Sequence, residues 1–331
     1  MASLADIRAR IAAQENKTTN KGSNTQADNS VYAHWNMDEG TTASIRFLPD
    51  GNSKNDFFWV EKQIIKLPFN GVKGDSNVKR IEVQVPCVEM YGDNCPILAE
   101  VRPWYKDETL KEMANKYWKK RSYLFQGFVR QNPLGDDKTP ANPVRRFIIS
   151  PQIIPIVKAG LMDPEIEELP TDYMRGLDFN IKKTSKGGYA DYSTSNWARK
   201  ESPLTEAEQA AIEAHGLFNL ADFLPKKPGE AELRIIKEMF EASVDGQPYD
   251  NERWGAYYRP YGLEAPAGAT AKPPASAGTS APVATPVAET STAPWDDDSA
   301  SATQPVEVPK AASSDKAQDI LAMIRARQNK S

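Results

Sequence analysis

Between residues 40 and 200, hydrophobic and polar positions alternate with period two in several short stretches, each predicting a half-buried strand. Residues 44–49 (Ser44-Ile45-Arg46-Phe47-Leu48-Pro49) end at a Pro-Asp-Gly turn. Residues 57–66 form a second run, residues 79–86 a third with clean alternation, and residues 143–149 a further one. Residues 178–183 are expected to pair with residues 189–192 around Gly187-Gly188. Helical periodicity takes over in residues 104–120, where Leu110, Met113 and Tyr117 share a side, and in residues 151–161, 203–214 and 229–243. In the last of these, Leu233, Ile236 and Phe240 align at i, i+3, i+7. Beyond it, Trp254, Tyr257 and Tyr258 form an aromatic cluster expected to pack back on the core, with stacking of bases as the alternative. Short strands divided by turn signals, with few helices, predict a mainly β fold with α insertions around a small barrel.

The stretch with the most chemistry is Lys116-Tyr117-Trp118-Lys119-Lys120-Arg121-Ser122-Tyr123-Leu124-Phe125-Gln126-Gly127-Phe128-Val129-Arg130. As a strand it places Arg121, Tyr123, Phe125 and Val129 on one face and Ser122, Leu124, Gln126 and Phe128 on the other. Cations leading into alternating aromatics are what a platform for unpaired nucleic acid needs: charge to follow phosphates and π-faces for bases. The same residues also describe a half-buried strand with a solvated cationic edge.

Outside this body the pattern changes. Residues 4–15 predict a short amphipathic helix, with Leu4, Ile7 and Ile11 on one stripe and Arg8 and Arg10 beside it. Residues 16–30 are polar and predict a flexible linker, and residues 265–314, rich in Ala, Pro, Thr and Ser, a disordered tether. That tether carries Trp295-Asp296-Asp297-Asp298, and residues 315–330 predict a second short amphipathic helix. Leu4-Ala5-Asp6-Ile7-Arg8-Ala9-Arg10 recurs as Leu321-Ala322-Met323-Ile324-Arg325-Ala326-Arg327. The expected organisation is an arm and linker over 1–30, a core over 31–262, and a tail over 263–331.

Charge sharpens this division. The net charge of −4 over 331 residues conceals 25 Lys and Arg against 20 Asp and Glu in residues 41–200, so +5, and 12 against 20 in residues 201–331, so −8. A basic body beside an acidic distal part suits a polyanion partner with which the tail competes. No run of about 18 apolar residues is present to cross a membrane, and the first residues do not have the pattern of a signal peptide. Two cysteines, Cys87 and Cys95, fit a reducing interior and no disulfide framework. There is no phosphate-binding Gly-x-x-x-x-Gly-Lys loop, and His34 and His215 suit neither a triad nor a metal cluster, so the chain is not expected to be an enzyme. The acidic runs at 163–168 and 296–298 converge with no further metal-binding group in the sequence.

Four segments, in order, resemble the T4-type phage single-stranded DNA-binding proteins, the helix-destabilising proteins of the replication fork. They are Ala43-Ser44-Ile45-Arg46-Phe47-Leu48-Pro49; Lys119-Lys120-Arg121-Ser122-Tyr123 with Val129-Arg130-Gln131-Asn132-Pro133; Gly188-Tyr189-Ala190-Asp191-Tyr192; and Glu238-Met239-Phe240-Glu241-Ala242-Ser243-Val244-Asp245. The resemblance implies an OB-fold core, an N-terminal segment (Leu4, Ile7, Arg8, Arg10, Ile11) that binds the neighbouring copy, and an acidic tail for replication and recombination proteins. On the tail, the docking residues would be Trp295, Asp296, Asp297, Asp298, Leu321, Ile324, Arg325 and Arg327. It implies cooperative coating of single-stranded DNA in the cytoplasm of an infected bacterium. Phosphates would be held by Lys119, Lys120, Arg121, Arg145, Arg146, Lys182 and Lys183, and bases stacked on Tyr123, Tyr189 and Tyr192. Departures occur at Leu124, where the family has an aromatic partner for its binding tyrosine, and at the zinc subdomain of one His and three Cys. Here Cys87 and Cys95 are remnants of that set, the third sulfur position is Leu98, and no His lies near Cys87. Zinc is therefore not expected. A repressor of translation binding single-stranded RNA, or a replication scaffold acting through protein contacts, would suit the same residues.

Overall fold

The computed structural model describes residues 30–263, apart from 76–78, 136 and 138. The predicted helices at 4–15 and 315–330, nearly all of the 16–30 linker, and the 265–314 tether lie outside the described residues.

The fold is mainly β, with helices set around an antiparallel sheet. The alternating stretches become β1 (Thr42–Phe47), β2 (Val60–Asn70), β3 (Arg80–Pro86), β4 (Lys120–Gln131), β5 (Arg145–Ile149) and β6 (Leu177–Lys182). β4 is the axis. On one edge it pairs first with β2, Tyr123 opposite Glu61, and then with β1, Gly127 opposite Phe47. On its other edge it pairs with β5, Phe125 opposite Phe147. The close crossing of β1 and β4 requires glycine at 127, where a Cβ would stand 2.1 Å from Arg46 O. Further out, β6 pairs with β1 and with β9 (Asn196–Glu201), which the sequence pattern does not single out.

The strand order is β3-β2-β4-β1-β6-β9, with β5 on the free edge of β4. β3 and β9 end this path, so the sheet is not closed into the expected barrel. The far half of β2 leaves with β3 to build a second core instead. The hairpin is also reassigned. β7 (Thr184–Lys186) and β8 (Tyr189–Asp191) pair only with each other around Gly187 and Gly188, at φ of 63° and 84°, while β6 stays in the main sheet.

Two large apolar clusters result, beside two smaller ones around Val31 and Leu48. The first joins Phe47, Phe125, Phe147 and Phe179 with Trp197, Tyr123 and Tyr192, and is capped by α3 (Ile154–Leu161). Gly160 of that helix lets the Trp197 ring approach to where a Cβ would lie 2.2 Å away. The second joins β2 and β3 to α1 (Pro96–Val101), α2 (Lys111–Tyr117) and α5 (Glu230–Val244), with Cys87, Cys95, Trp104 and Phe240 inside. The predicted helix over 104–120 is divided: short 3₁₀ turns span Arg102–Lys106 and Glu108–Leu110, and only α2 is α-helical. Asp107 caps the second turn through the N–H of Thr109. α4 (Glu206–His215) opens with a capping box between Thr205 and Glu208. The predicted aromatic packing holds for Trp254, which belongs to the second cluster, and partly for Tyr258, whereas Tyr257 is exposed.

Candidate nucleic-acid interface

Strand β4 is buried on both faces from Ser122 to Phe128, so its centre is not an open platform. The inward face of Tyr123 and Phe125 lies in the first cluster. The opposite face is covered by the segment around Phe218 and Phe223: Gln126 Nε2 donates to Pro49 O at 2.7 Å and Phe218 O at 2.9 Å, while Gln126 Oε1 accepts from Phe218 N at 2.8 Å.

This double burial sorts the predicted site residues. Arg145 is buried and forms a bidentate pair with Asp137 (Nη2 to Oδ1 2.9 Å), with its guanidinium 4.9 Å from the centre of the Tyr32 ring. Arg146 is buried with its guanidinium 3.9 Å from the centre of the Phe223 ring. Lys119 pairs with Glu89 at 2.7 Å. Lys183 donates to Trp35 O and Met37 O, each at 2.7 Å. Tyr192 is 2 % exposed and meets the His34 ring edge-on at 5.7 Å. These side chains hold the fold, and burial removes Arg145, Arg146 and Tyr192 from any solvent-facing set. Tyr123 stands at the boundary: its ring is in the core and its hydroxyl bonds with Arg121 and Glu61, burial raising its pKa.

What remains toward solvent falls in two places. At the β2–β4 rungs, Arg121 is exposed and pairs loosely with Glu61 at 3.4 Å, and Lys120 is half-buried beside it. At the far end of β6, Lys182 is exposed and Tyr189 is 52 % exposed on the β7–β8 hairpin, with Lys186 on the same hairpin; Arg199 and Lys200 are exposed on β9 near the other end of β6, where Glu201 lies opposite Leu177. A charged edge strand also blocks sheet-to-sheet pairing, so β9 by itself argues little.

The structure adds an aromatic that periodicity does not select. Phe57, in the loop joining β1 to β2, is 58 % exposed. Its ring lies 4.8 Å from that of Trp59, which stacks on Phe125 at 5.6 Å with 26° between planes. A strand over residues 57–59 would turn Phe57 and Trp59 to one face and Phe58 to the other. Instead Phe58 and Trp59 are both buried, because Asp50 and Asn55 fold the loop. Asn55 Nδ2 donates to Asp50 Oδ2 at 2.7 Å and Trp59 O at 3.2 Å, while Asn55 Oδ1 accepts from Phe57 N at 3.1 Å. The signal in the sequence was three successive aromatics after a turn-rich stretch, more than one face of a strand can bury.

Cys87 and Cys95 lie together in the second cluster. Cys95 Sγ accepts from the Cys87 thiol and from the backbone N–H groups of Leu98, Ile97 and Val88, which favours its thiolate, while Cys87 is raised by donating to Cys95 and by burial. Leu98 fills the next position as core, and His34 belongs to a different part of the fold, against Trp35 and Tyr192. Among the described residues no group of three or more His, Cys, Asp or Glu converges to hold a metal. Two sulfurs do not fit a four-coordinate zinc site.

Neither a protein-family model nor a curated protein sequence matches the chain.

Proposed function

We propose that the protein coats single-stranded DNA cooperatively and with little regard to sequence, protecting it during phage replication, recombination and repair. On this reading it is a T4-type single-stranded DNA-binding protein with an OB-fold-like core, acting in the infected host. Residues 1–30 would contact the next copy, and residues 263–331 would recruit partner proteins. The observation that carries the reading is the exposed Phe57 ring packed on Trp59, which stacks on Phe125, two residues along β4 from Tyr123 and four from Arg121. An exposed aromatic backed by the β4 face that carries Arg121 would offer an unpaired base a π-face, with the cation further along the strand for a phosphate, and stacking of this kind tolerates any base. Tyr189 with Lys182 and Lys186 would form a second contact. The two lie at opposite ends of β1, roughly 17 Å apart at the usual rise per strand residue, so the strand of nucleic acid would cross the β1 region. An OB-like arrangement is supported by β4, one long strand shared by β2 and β1 on one edge and β5 on the other.

The test is a titration with poly(dT), poly(U) and duplex DNA, following tryptophan fluorescence over a range of salt. Poly(dT) is expected to bind far more tightly than duplex. With about 4 phosphates neutralised, log affinity falls against log salt with a slope near −3. A slope near zero, or equal affinity for duplex, overturns the proposal. Preference for poly(U) would replace it with the RNA reading, and binding to none of the three with the scaffold reading.

A further inference from the structure

The loop between α3 and β6 exposes large apolar side chains on a firmly held backbone. Met162 is 83 % exposed, Leu169 65 % and Met174 66 %. In the second half of the loop, the buried Arg46 donates from Nη1 to Pro170 O at 2.9 Å and from Nη2 to Asp172 O. Gly176 crosses so close that a Cβ would meet Arg46 Nη2 at 2.2 Å. Asp172 Oδ1 accepts from the N–H groups of Met174 and Arg175, both at 2.8 Å, and Leu177 N and Leu204 N donate to Pro170 O and Tyr173 O. Apolar exposure on so constrained a loop is not slack. Three large apolar side chains exposed on one loop offer anchors for another chain segment.

The loop is also acidic. It carries Asp163, Glu165, Glu167, Glu168 and Asp172 against Arg175 alone, and Arg175 is already engaged by Glu168 at 3.2 Å and Glu201 at 2.9 Å. Its complement is an apolar, basic segment. Residues 321–327 supply one: as a helix they align Leu321 and Ile324 with Ile320 before them, and set Arg325 and Arg327 beside that stripe. A helix so short is marginal in water without a surface to lie on.

We propose that residues 321–327 dock as a short amphipathic helix on the surface made by Met162, Leu169 and Met174. Ile320, Leu321 and Ile324 cover the apolar side chains, and Arg325 and Arg327 face Asp163 and Glu165. This is the helix-on-surface mode of recognition, read through i, i+3, i+4 anchors. The N-terminal repeat at residues 4–10 shares the pattern but has Asp6 in place of Met323, so the tail copy suits an acidic surface better.

The experiment uses the full-length protein carrying Ile324→Asp, which disables its own tail copy, and a fluorescent peptide of residues 315–331 followed by anisotropy. Saturable binding is expected, weakened at least tenfold by Leu169→Ser with Met174→Ser. Glu165→Lys weakens it as well, and a peptide carrying Arg325→Glu restores binding to that variant. Binding that the loop variants leave unchanged, or that a scrambled peptide equals, overturns the proposal, as does no saturable binding. These side chains are exposed, so thermal melting of the variants stays that of the parent, and the charge-reversal pair gives a result independent of the apolar pair. None of them belongs to the proposed DNA surface. Unchanged poly(dT) affinity in the loop variants therefore separates failure of docking from failure of the DNA reading.

Discussion

Arg145 and Phe57 show how the same chemistry is assigned opposite work by its surroundings. Arg145 belongs to a cationic strand, yet its guanidinium is buried against Asp137 and Tyr32. Removing one member of a buried ion pair leaves the other uncompensated, at about 3–5 kcal/mol. Arg145→Ala is therefore expected to lower unfolding stability by about 3 kcal/mol or more in a denaturant titration, while the folded fraction keeps its affinity for poly(dT). Phe57 is the reverse. Its exposed ring contributes little to the core, so Phe57→Ala leaves the unfolding midpoint almost unmoved and weakens poly(dT) binding by about 1–3 kcal/mol. If Arg145→Ala cuts affinity without loss of stability, or Phe57→Ala does nothing to affinity, the assignment of the surface is wrong. In both cases the residue type was legible in the sequence and the direction of its side chain was not. That direction depends on partners such as Asp137 and Trp59, whose positions depend on how the loops around them fold.

At the scale of elements, residues 30–37 are held as an added edge on β5. Tyr32 N donates to Arg146 O at 2.9 Å and Arg146 N to Ser30 O at 2.7 Å, with Lys183 capping the carbonyls of Trp35 and Met37. His34 lies within this edge, fully buried between Trp35 and Tyr192, and burial, with Lys183 adding to it, takes its pKa down to about 3. An unfolded histidine titrates near 6.5. Between those values the unfolded chain binds a proton that the folded chain refuses, so stability present at neutral pH is lost as the pH falls, by up to about 1.4 kcal/mol per unit. Melting curves at pH 7, 6 and 5 are expected to show a decline that His34→Gln flattens, whatever the variant's stability at pH 7. An identical pH dependence in the two proteins would remove His34 from the explanation. Lys183 looked like a phosphate ligand in the sequence because its carbonyl partners lie far from it along the chain.

Over the whole molecule, the two largest apolar clusters draw on different strands, one on β1, β4, β5 and β6 and the other on β2 and β3, and the one that contains Cys87 and Cys95 is filled by Trp104, Tyr117, Met239 and Phe240. A cluster packed to this extent is expected to stand without an ion, unlike small metal-dependent folds, whose stability is the binding energy of the ion. Protein purified without chelator is expected to hold well under one zinc per chain, and chelation to leave the melting temperature unchanged. Stoichiometric zinc together with melting lowered by chelation would show that this cluster depends on metal. The sequence by itself determined where β1–β6 and the longer helices α3–α5 lie, to within a few residues. Alternation at period two or 3.6 and caps such as Thr205 with Glu208 are local properties, readable from neighbours along the chain. Only the tertiary structure decided that β4 is buried on both faces, that the sheet stays open between β3 and β9, and which cations meet water. Each of those depends on segments distant in sequence, Phe218 and Phe223 over Gln126 and Arg146, or the far half of β2 leaving to pack under α5. Burial is a property of the space that two such segments share, and nothing within either one encodes it.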